Sequence, residues 1–397
     1  MTCARRKIAV FTGNRAEYGL QYPILRALAA DPRLAYYLLV GGAHLQQDFG
    51  KTAAEVEADG FQIHREVAIE MQQDALFATA QAIGAGILSM SKILDELQPD
   101  FLVVYADRFE SFAALIAATQ MNIPTAHIEG GDYTEGGALD DSVRHAMTKL
   151  AHLHFTTNER AAERVRRMGE EPWRVFNVGF PALDLVAAGL FAAPAEIASS
   201  LGLDLNRPIV LFCQHSVTTE FDQADQQVQP SLQAMTQLAQ QGYQVVITYP
   251  NNDAGGRRII SEIVQLRARG VPGITIVPSL GRHRFHGVLN AIGRVAGGAF
   301  VGNSSAGIKE TPVFGCPAVN VGSRQQGRLR ADNVLDVPYD AEHIRAAVER
   351  CVVDADFRWQ CQHCANPYGS GNAGARIAEV LATIPVGRGL LQKKMVY

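Results

Sequence analysis

Residues 101–132 read FLVVYADRFESFAALIAATQMNIPTAHIEGGD, and this stretch decides the fold. Phe101–Tyr105 is a five-residue apolar run, the length of a strand buried on both faces rather than of a helix. It empties into the charged turn Ala106-Asp107-Arg108-Phe109-Glu110; a helical pattern follows, and Pro124–Ile128 repeats the strand signal. Strand, helix and strand in that order make a βαβ unit, which runs the strands parallel and lays helices against the sheet. The same rhythm extends upstream. Lys7–Thr12 (KIAVFT) and Tyr36–Val40 are strand candidates, Tyr18–Ala30 is an amphipathic helix, and Ala75–Leu97 is the longest helical pattern. Downstream it restarts with Pro208–Cys213, Tyr243–Thr248, Ile274–Val277, Ala299–Gly302 and Ala318–Val321. The expected fold class is α/β: two Rossmann-like, doubly wound domains, residues 1–185 and 186–371, joined within Pro181–Arg207. The turn-rich NPYGSGNAG at 366–374 precedes a final helix expected over about Ala375–Ile384. Ligands of such sheets bind outside the carboxyl ends of the strands, so the expected active site is the cleft between the two domains.

Composition narrows the function classes. A length of 397 residues suits two domains of ordinary size. The net charge of −4 provides no general basic surface, so no nucleic-acid partner is expected. No run of 18 apolar residues occurs, and MTCARRKIAVFTG lacks the apolar stretch of a signal peptide; no membrane association and a cytoplasmic location are expected. Cys361-Gln-His-Cys364 has CxxC spacing without a second pair at zinc-site distance, so the cysteines read as ordinary thiols and no metal site is expected.

The polar residues that matter stand at strand ends. Two consecutive strands deliver Asp107 and Glu129 to one edge, and Asp140-Asp141-Ser-Val-Arg144-His145 reads as a helix N-terminus capped by Asp. Capping explains one aspartate, whereas carboxylates gathered together raise one another's pKa and suit proton transfer near neutral pH. The first strand ends on Gly13-Asn-Arg15-Ala-Glu-Tyr-Gly19, a βα turn in which Arg15 can fork onto a phosphate. In the second half, strand ends carry His215 and the loop Asn251-Asn-Asp253. Gly302-Asn-Ser304-Ser305-Ala-Gly-Ile-Lys-Glu310 places small and hydroxyl residues before a helix, an anion cradle of backbone N–H groups, with Glu310 placed for ribose hydroxyls. Arg324 and Arg328 add guanidinium groups. A diphosphate with a ribose is the ligand this set implies.

Taken together, TGNRAEYG (12–19), ADRFE (106–110), MNIPTAHIEGGD (121–132), DDSVRHAMTKLAH (140–152), YPNNDAG (249–255), VGNSSAGIKE (301–310) and GSRQQGR (322–328) resemble the hydrolysing UDP-N-acetylglucosamine 2-epimerases of sialic and legionaminic acid synthesis. The resemblance implies a GT-B-like fold with a C-terminal helix, 372–397, crossing back to the first domain, a UDP-sugar substrate, and usually a homodimer. It implies Asp107, Glu129 and Asp140 as proton-transfer carboxylates, with Asp141 left open as the active one of the adjacent pair, and His215 beside the diphosphate and sugar. Arg15, Gly19, Arg108, Asn251, Ser304, Ser305, Glu310 and Arg324 would hold the nucleotide, and Arg144 and His145 would join the same site. Elimination of the nucleotide to a 2-acetamidoglycal, then hydration, would convert UDP-N-acetylglucosamine to N-acetylmannosamine and UDP with no cofactor. The chain departs from the usual pattern at Ala106 (glycine is usual), at Ser216 (proline is usual) and at TEGGAL, 134–139, about two residues longer than usual. That longer segment leaves room for a second substrate, a UDP- or GDP-linked 2,4-diacetamido-2,4,6-trideoxyglucose. A GT-B glycosyltransferase is the third reading, and three carboxylates in the first half speak against it.

Overall fold

The computed structural model describes residues 5–46, 52–69, 76–132, 139–251 and 253–396. The chain divides into two compact units, the first containing Asp140–Leu185 and the C-terminal Tyr368–Tyr397 along with the N-terminal residues up to Asp132, the second built on Val186–Pro367.

The first unit is a seven-stranded parallel sheet: β1 Arg6–Thr12, β2 Leu34–Gly41, β3 Ile63–Val67, β4 Phe101–Tyr105, β5 Thr125–Ile128, β6 Leu153–Thr156 and β7 Val175–Asn177, in the spatial order β3-β2-β1-β4-β5-β6-β7. Side chains alternate across the pleat, and both faces are covered. Ile8, Val10, Val103 and Tyr105 pack on helices Arg15–Ala30 and Ala373–Thr383, while Ala9, Phe11, Leu102 and Val104 face helices Leu76–Leu97 and Phe109–Gln120. Helix Leu76–Leu97 is long and apolar enough to cross a bilayer by length and composition; a third of it is buried, with Ala82, Met90, Ile93 and Leu94 in this core.

The second unit repeats the design with six strands: β8 Ile209–Cys213, β9 Gln244–Thr248, β10 Ile274–Val277, β11 Gly298–Gly302, β12 Ala318–Val321 and β13 Val334–Val337, ordered β10-β9-β8-β11-β12-β13. Numbered within each unit, both sheets contain the order 3-2-1-4-5-6 of dinucleotide-binding folds, with the switch point between the first and fourth strands. Candidate residues fall at that place: Asn14 and Asp107 follow β1 and β4, and His215 and Asn303 follow β8 and β11.

The C-terminal segment is tied into the first unit by specific bonds. Asp184 accepts the backbone N–H groups of Ala373 and Gly374 at 2.8 and 2.7 Å, satisfying donors at the start of helix Ala373–Thr383. Farther on, Lys393 Nζ donates to the carbonyls of Lys149 and Ala151 at 2.8 and 2.6 Å and pairs with Glu170 at 2.7 Å. A lysine there complements the carboxyl end of helix Leu139–Leu150, whose opposite end carries Asp140 and Asp141.

Several expectations need correcting. The two aspartates sit inside the first turn of helix Leu139–Leu150 rather than capping it. The helix after the Ser304-Ser305 turn is a single turn, Ala306–Lys309, with Glu310 at its end. Of the longer segment 134–139, all but Leu139 lies outside the described residues.

Candidate functional site

In the first unit, chain geometry turns the carboxylates out of their strands. Ala106 and Glu129, each directly after a strand, have φ of +54° and +67°. Residues with a Cβ seldom take that left-handed conformation; it costs about 1 kcal/mol or more and persists where neighbours hold it. Here the neighbours are the sheet itself, since Ala106 N–H donates to Ile128 O at 2.9 Å and Glu129 N–H to Phe155 O at 2.8 Å. Glu129 is 5% exposed.

Arg144, 1% exposed, is the hub. Its Nη1 donates to Asp141 Oδ1 at 2.8 Å and to the Asp132 carbonyl at 2.9 Å, and Nη2 pairs with Asp107 Oδ2. One guanidinium thus ties the turn after β4, the loop after β5 and helix Leu139–Leu150. Asp141 is buried in this pairing and Asp140 beside it is half-exposed. His145, also half-buried, has its pKa lowered by burial and by the charges of Arg144 and Arg164. Arg108 is partly buried, 3.4 Å from the buried Glu110 carboxylate. Arg15 is exposed at the start of helix Arg15–Ala30 and pairs with Glu55 at 3.6 Å. Gly19 lies within that helix, and a Cβ added there would meet open space.

The second unit assembles its polar strand ends around Asn303. Gly302, with φ of +132°, admits no side chain, since an added Cβ would lie 2.0 Å from the Cys213 carbonyl oxygen, and it delivers Asn303 beside the neighbouring strand. Asn303 Oδ1 accepts His215 N–H at 2.6 Å, and its Nδ2 donates to His215 O at 2.9 Å. Asn251 N–H donates to His215 Nδ1 at 3.0 Å, so the ring proton of the neutral form sits on Nε2. Burial, reinforced by the charge of Arg324, pushes this imidazole down to about 3, and it is neutral at pH 7. Arg324 donates to Asn303 O at 3.2 Å and stands 3.8 Å from Asp253, which also accepts from Asn251 Nδ2 at 2.6 Å. Ser304 and Ser305, partly exposed, open the turn of helix Ala306–Lys309. Glu310 is buried and bonded to His286 Nε2 at 2.6 Å. Among the described residues, no group of three or more His, Cys, Asp or Glu side chains could hold a metal ion.

A family model described as UDP-N-acetylglucosamine 2-epimerase matches residues 26–382. The chain belongs to that family. It is 33% identical over 392 residues, 99% of this chain and 100% of the other, to the UDP-N,N'-diacetylbacillosamine 2-epimerase (hydrolyzing) of Legionella pneumophila. It is 30% identical, over 95% of each chain, to the UDP-N-acetylglucosamine 2-epimerase of Neisseria meningitidis. A solved structure of a UDP-N-acetylglucosamine 2-epimerase from Neisseria meningitidis, bound to UDP-N-acetylglucosamine, superposes with a TM-score of 0.80 at 17% identity, over 94% of this chain and 99% of that one. The GT-B-like, two-Rossmann fold is therefore the epimerase fold.

Three buried groups of this epimerase escaped the reading of its sequence. His127 contacts the strand-end residue Ala106, 21 positions away, and His286 contacts Glu310 at the end of helix Ala306–Lys309, 24 positions away. Glu17 accepts Gly13 N–H at 2.6 Å and Ser111 Oγ–H at 2.6 Å, bracing the turn after β1 against helix Phe109–Gln120. No local spacing marks the pairs of His127, of His286 or of Glu17 with Ser111. Burial, opposed by those two hydrogen bonds, raises the Glu17 carboxyl from 4.5 to about 7. Below pH 4.5 it is protonated whether the chain is folded or not; between pH 4.5 and 7 the unfolded chain releases the proton first. Folding stability from Glu17 therefore falls as pH rises through that window, by about 3 kcal/mol in all. Denaturation from pH 5 to 8 should show this decline relative to Glu17→Gln; parallel curves would contradict the assignment.

Proposed function

We propose that the chain is a hydrolysing 2-epimerase converting UDP-N-acetylglucosamine and water into N-acetylmannosamine and UDP. The observation that carries this reading is the Arg144 hub, which gathers Asp107 and Asp141 at the strand edge that also delivers Glu129. Carboxylates so held can move protons at carbon once substrate is positioned. In the proposed step a carboxylate, Glu129 first among them, takes the C2 proton. The C–H electron pair forms the C1=C2 bond, and the C1–O bond breaks to release UDP. Water then adds its oxygen to C1, giving up one proton to a carboxylate, and a proton returns to C2 on the opposite face, from Asp107 or Asp140. Asp140, half-exposed beside the buried Asp141, is taken as the member of the pair that meets the substrate.

His215, neutral with its proton on Nε2, would donate to the leaving diphosphate. Arg15, Gly19, Arg108, Asn251, Ser304, Ser305 and Arg324 would contact the nucleotide diphosphate, Glu310 the ribose hydroxyls, and His145 the sugar. Replacing His286 by Phe frees the Glu310 carboxylate from its bond and should weaken UDP binding about tenfold, the worth of one hydrogen bond to a charged group. Titration calorimetry with UDP checks this; unchanged affinity would remove Glu310 from the nucleotide site.

A second reading, UDP-N,N'-diacetylbacillosamine as substrate, is favoured by the relative at 33% identity. Anion-exchange chromatography of reactions with each UDP-sugar separates the cases. Free UDP appearing in equal amount with free sugar supports the hydrolysing reaction, and the larger kcat/KM names the sugar. Accumulation of an intact epimerised UDP-sugar without free UDP would rule hydrolysis out.

A further inference from the structure

His127 lies in β5 with no solvent exposure and has no part in the chemistry described above. Its Nε2 is 2.6 Å from the Ala106 carbonyl, and its Nδ1 is 3.2 Å from Thr148 Oγ1. A carbonyl oxygen only accepts, so the ring carries its proton on Nε2 and donates it. Ala106 is the left-handed residue, φ +54°, through which the chain leaves β4 and presents Asp107. β5 therefore grips Ala106 at both its polar groups: Ile128 O takes its N–H, and His127 gives a proton to its carbonyl. The other edge of the ring rests on Thr148, whose hydroxyl is 3.0 Å from the Arg144 carbonyl on the helix that holds Asp107. Gly130 lies close to the ring, where an added Cβ would be 3.0 Å from His127 Nδ1, so a side chain at 130 would crowd it.

We propose that His127 is a positioning residue: its Nε2–H holds the strained Ala106 turn and so fixes the Asp107 carboxylate for proton transfer. This rests on the reading of Asp107 as a proton-transfer group. The bond explains how alanine is tolerated where a left-handed conformation is required, because the turn is held from outside. Glycine at 106 would take that conformation without help.

The test is a kinetic cycle on the purified enzyme with whichever of the two UDP-sugars it turns over. Its variants are His127→Phe, His127→Gln, Ala106→Gly, the His127→Phe/Ala106→Gly double variant and Asp107→Asn. His127→Phe should lower kcat about a hundredfold, the scale of a small misplacement of a reacting group, with UDP affinity within about twofold. His127→Gln, which keeps an N–H in reach, should lose far less. Glycine at 106 should restore about tenfold of the kcat lost in the Phe variant, a rescue that loss of core packing would not show. His127→Asn, too short to reach the Ala106 carbonyl, serves the same arm should the Phe variant not fold. Wild-type kcat in the Phe or Asn variant beside an inactive Asp107→Asn would overturn the proposal, as would a loss that glycine leaves untouched. Full activity of Asp107→Asn would instead overturn the reading of Asp107 on which the proposal stands.

Discussion

Glu129→Gln is expected to bind UDP within about twofold of the wild type while its turnover falls by about a thousandfold, the middle of the range for removing a general base or acid. The substitution is nearly isosteric, and glutamine meets the same backbone cost as glutamate at φ +67°. What changes is the capacity to take and return a proton at pH 7. UDP affinity should survive because the residues assigned to the nucleotide are concentrated in the second unit, around Asn303 and Glu310. Steady-state kinetics paired with UDP calorimetry checks both halves. A variant that turns over at a tenth of the wild-type rate or better would remove Glu129 from the chemical step.

The second large effect is on stability. Arg144→Met should destabilise the first unit by about 3–5 kcal/mol, since it strands the buried Asp141 and the partly buried Asp107 without their cation. Arg144→Lys should recover little, because one ammonium cannot reproduce the fork that meets Asp107, Asp141 and the Asp132 carbonyl together. Adding Asp141→Asn to the Met variant should restore part of the loss by removing one stranded charge. Urea denaturation followed by far-UV circular dichroism reads all three. A Met variant with an unchanged midpoint would mean that the hub contributes nothing to folding.

The strands that could be read from the sequence are those with continuous apolar runs. β1, β2, β4, β5, β8, β9, β10, β11 and β12 were each expected to within two residues at either end. Ile63–Val67, Leu153–Thr156, Val175–Asn177 and Val334–Val337 were not anticipated. Three of these, β3, β7 and β13, are sheet edges, where half-exposed strands need no apolar run. β6 is interior but carries His154, which is buried because Glu170 meets it at 2.9 Å, a partner 16 residues away. The site follows the same division. Strand-end motifs exposed the groups that leave the sheet, because chain topology alone brings them to one edge. The groups that brace them, Glu17, His127 and His286, pair across elements distant in sequence. Nothing in their local pattern separates them from ordinary core residues.

The most direct test of the proposed reaction is proton NMR of the enzyme with UDP-N-acetylglucosamine in deuterated water. Free UDP and N-acetylmannosamine with deuterium at C2 are expected, since the departing proton exchanges with solvent before one returns on the opposite face. UDP released together with a sugar that keeps its original C2 proton would contradict proton abstraction at C2, and with it the roles given to Glu129, Asp107 and Asp140.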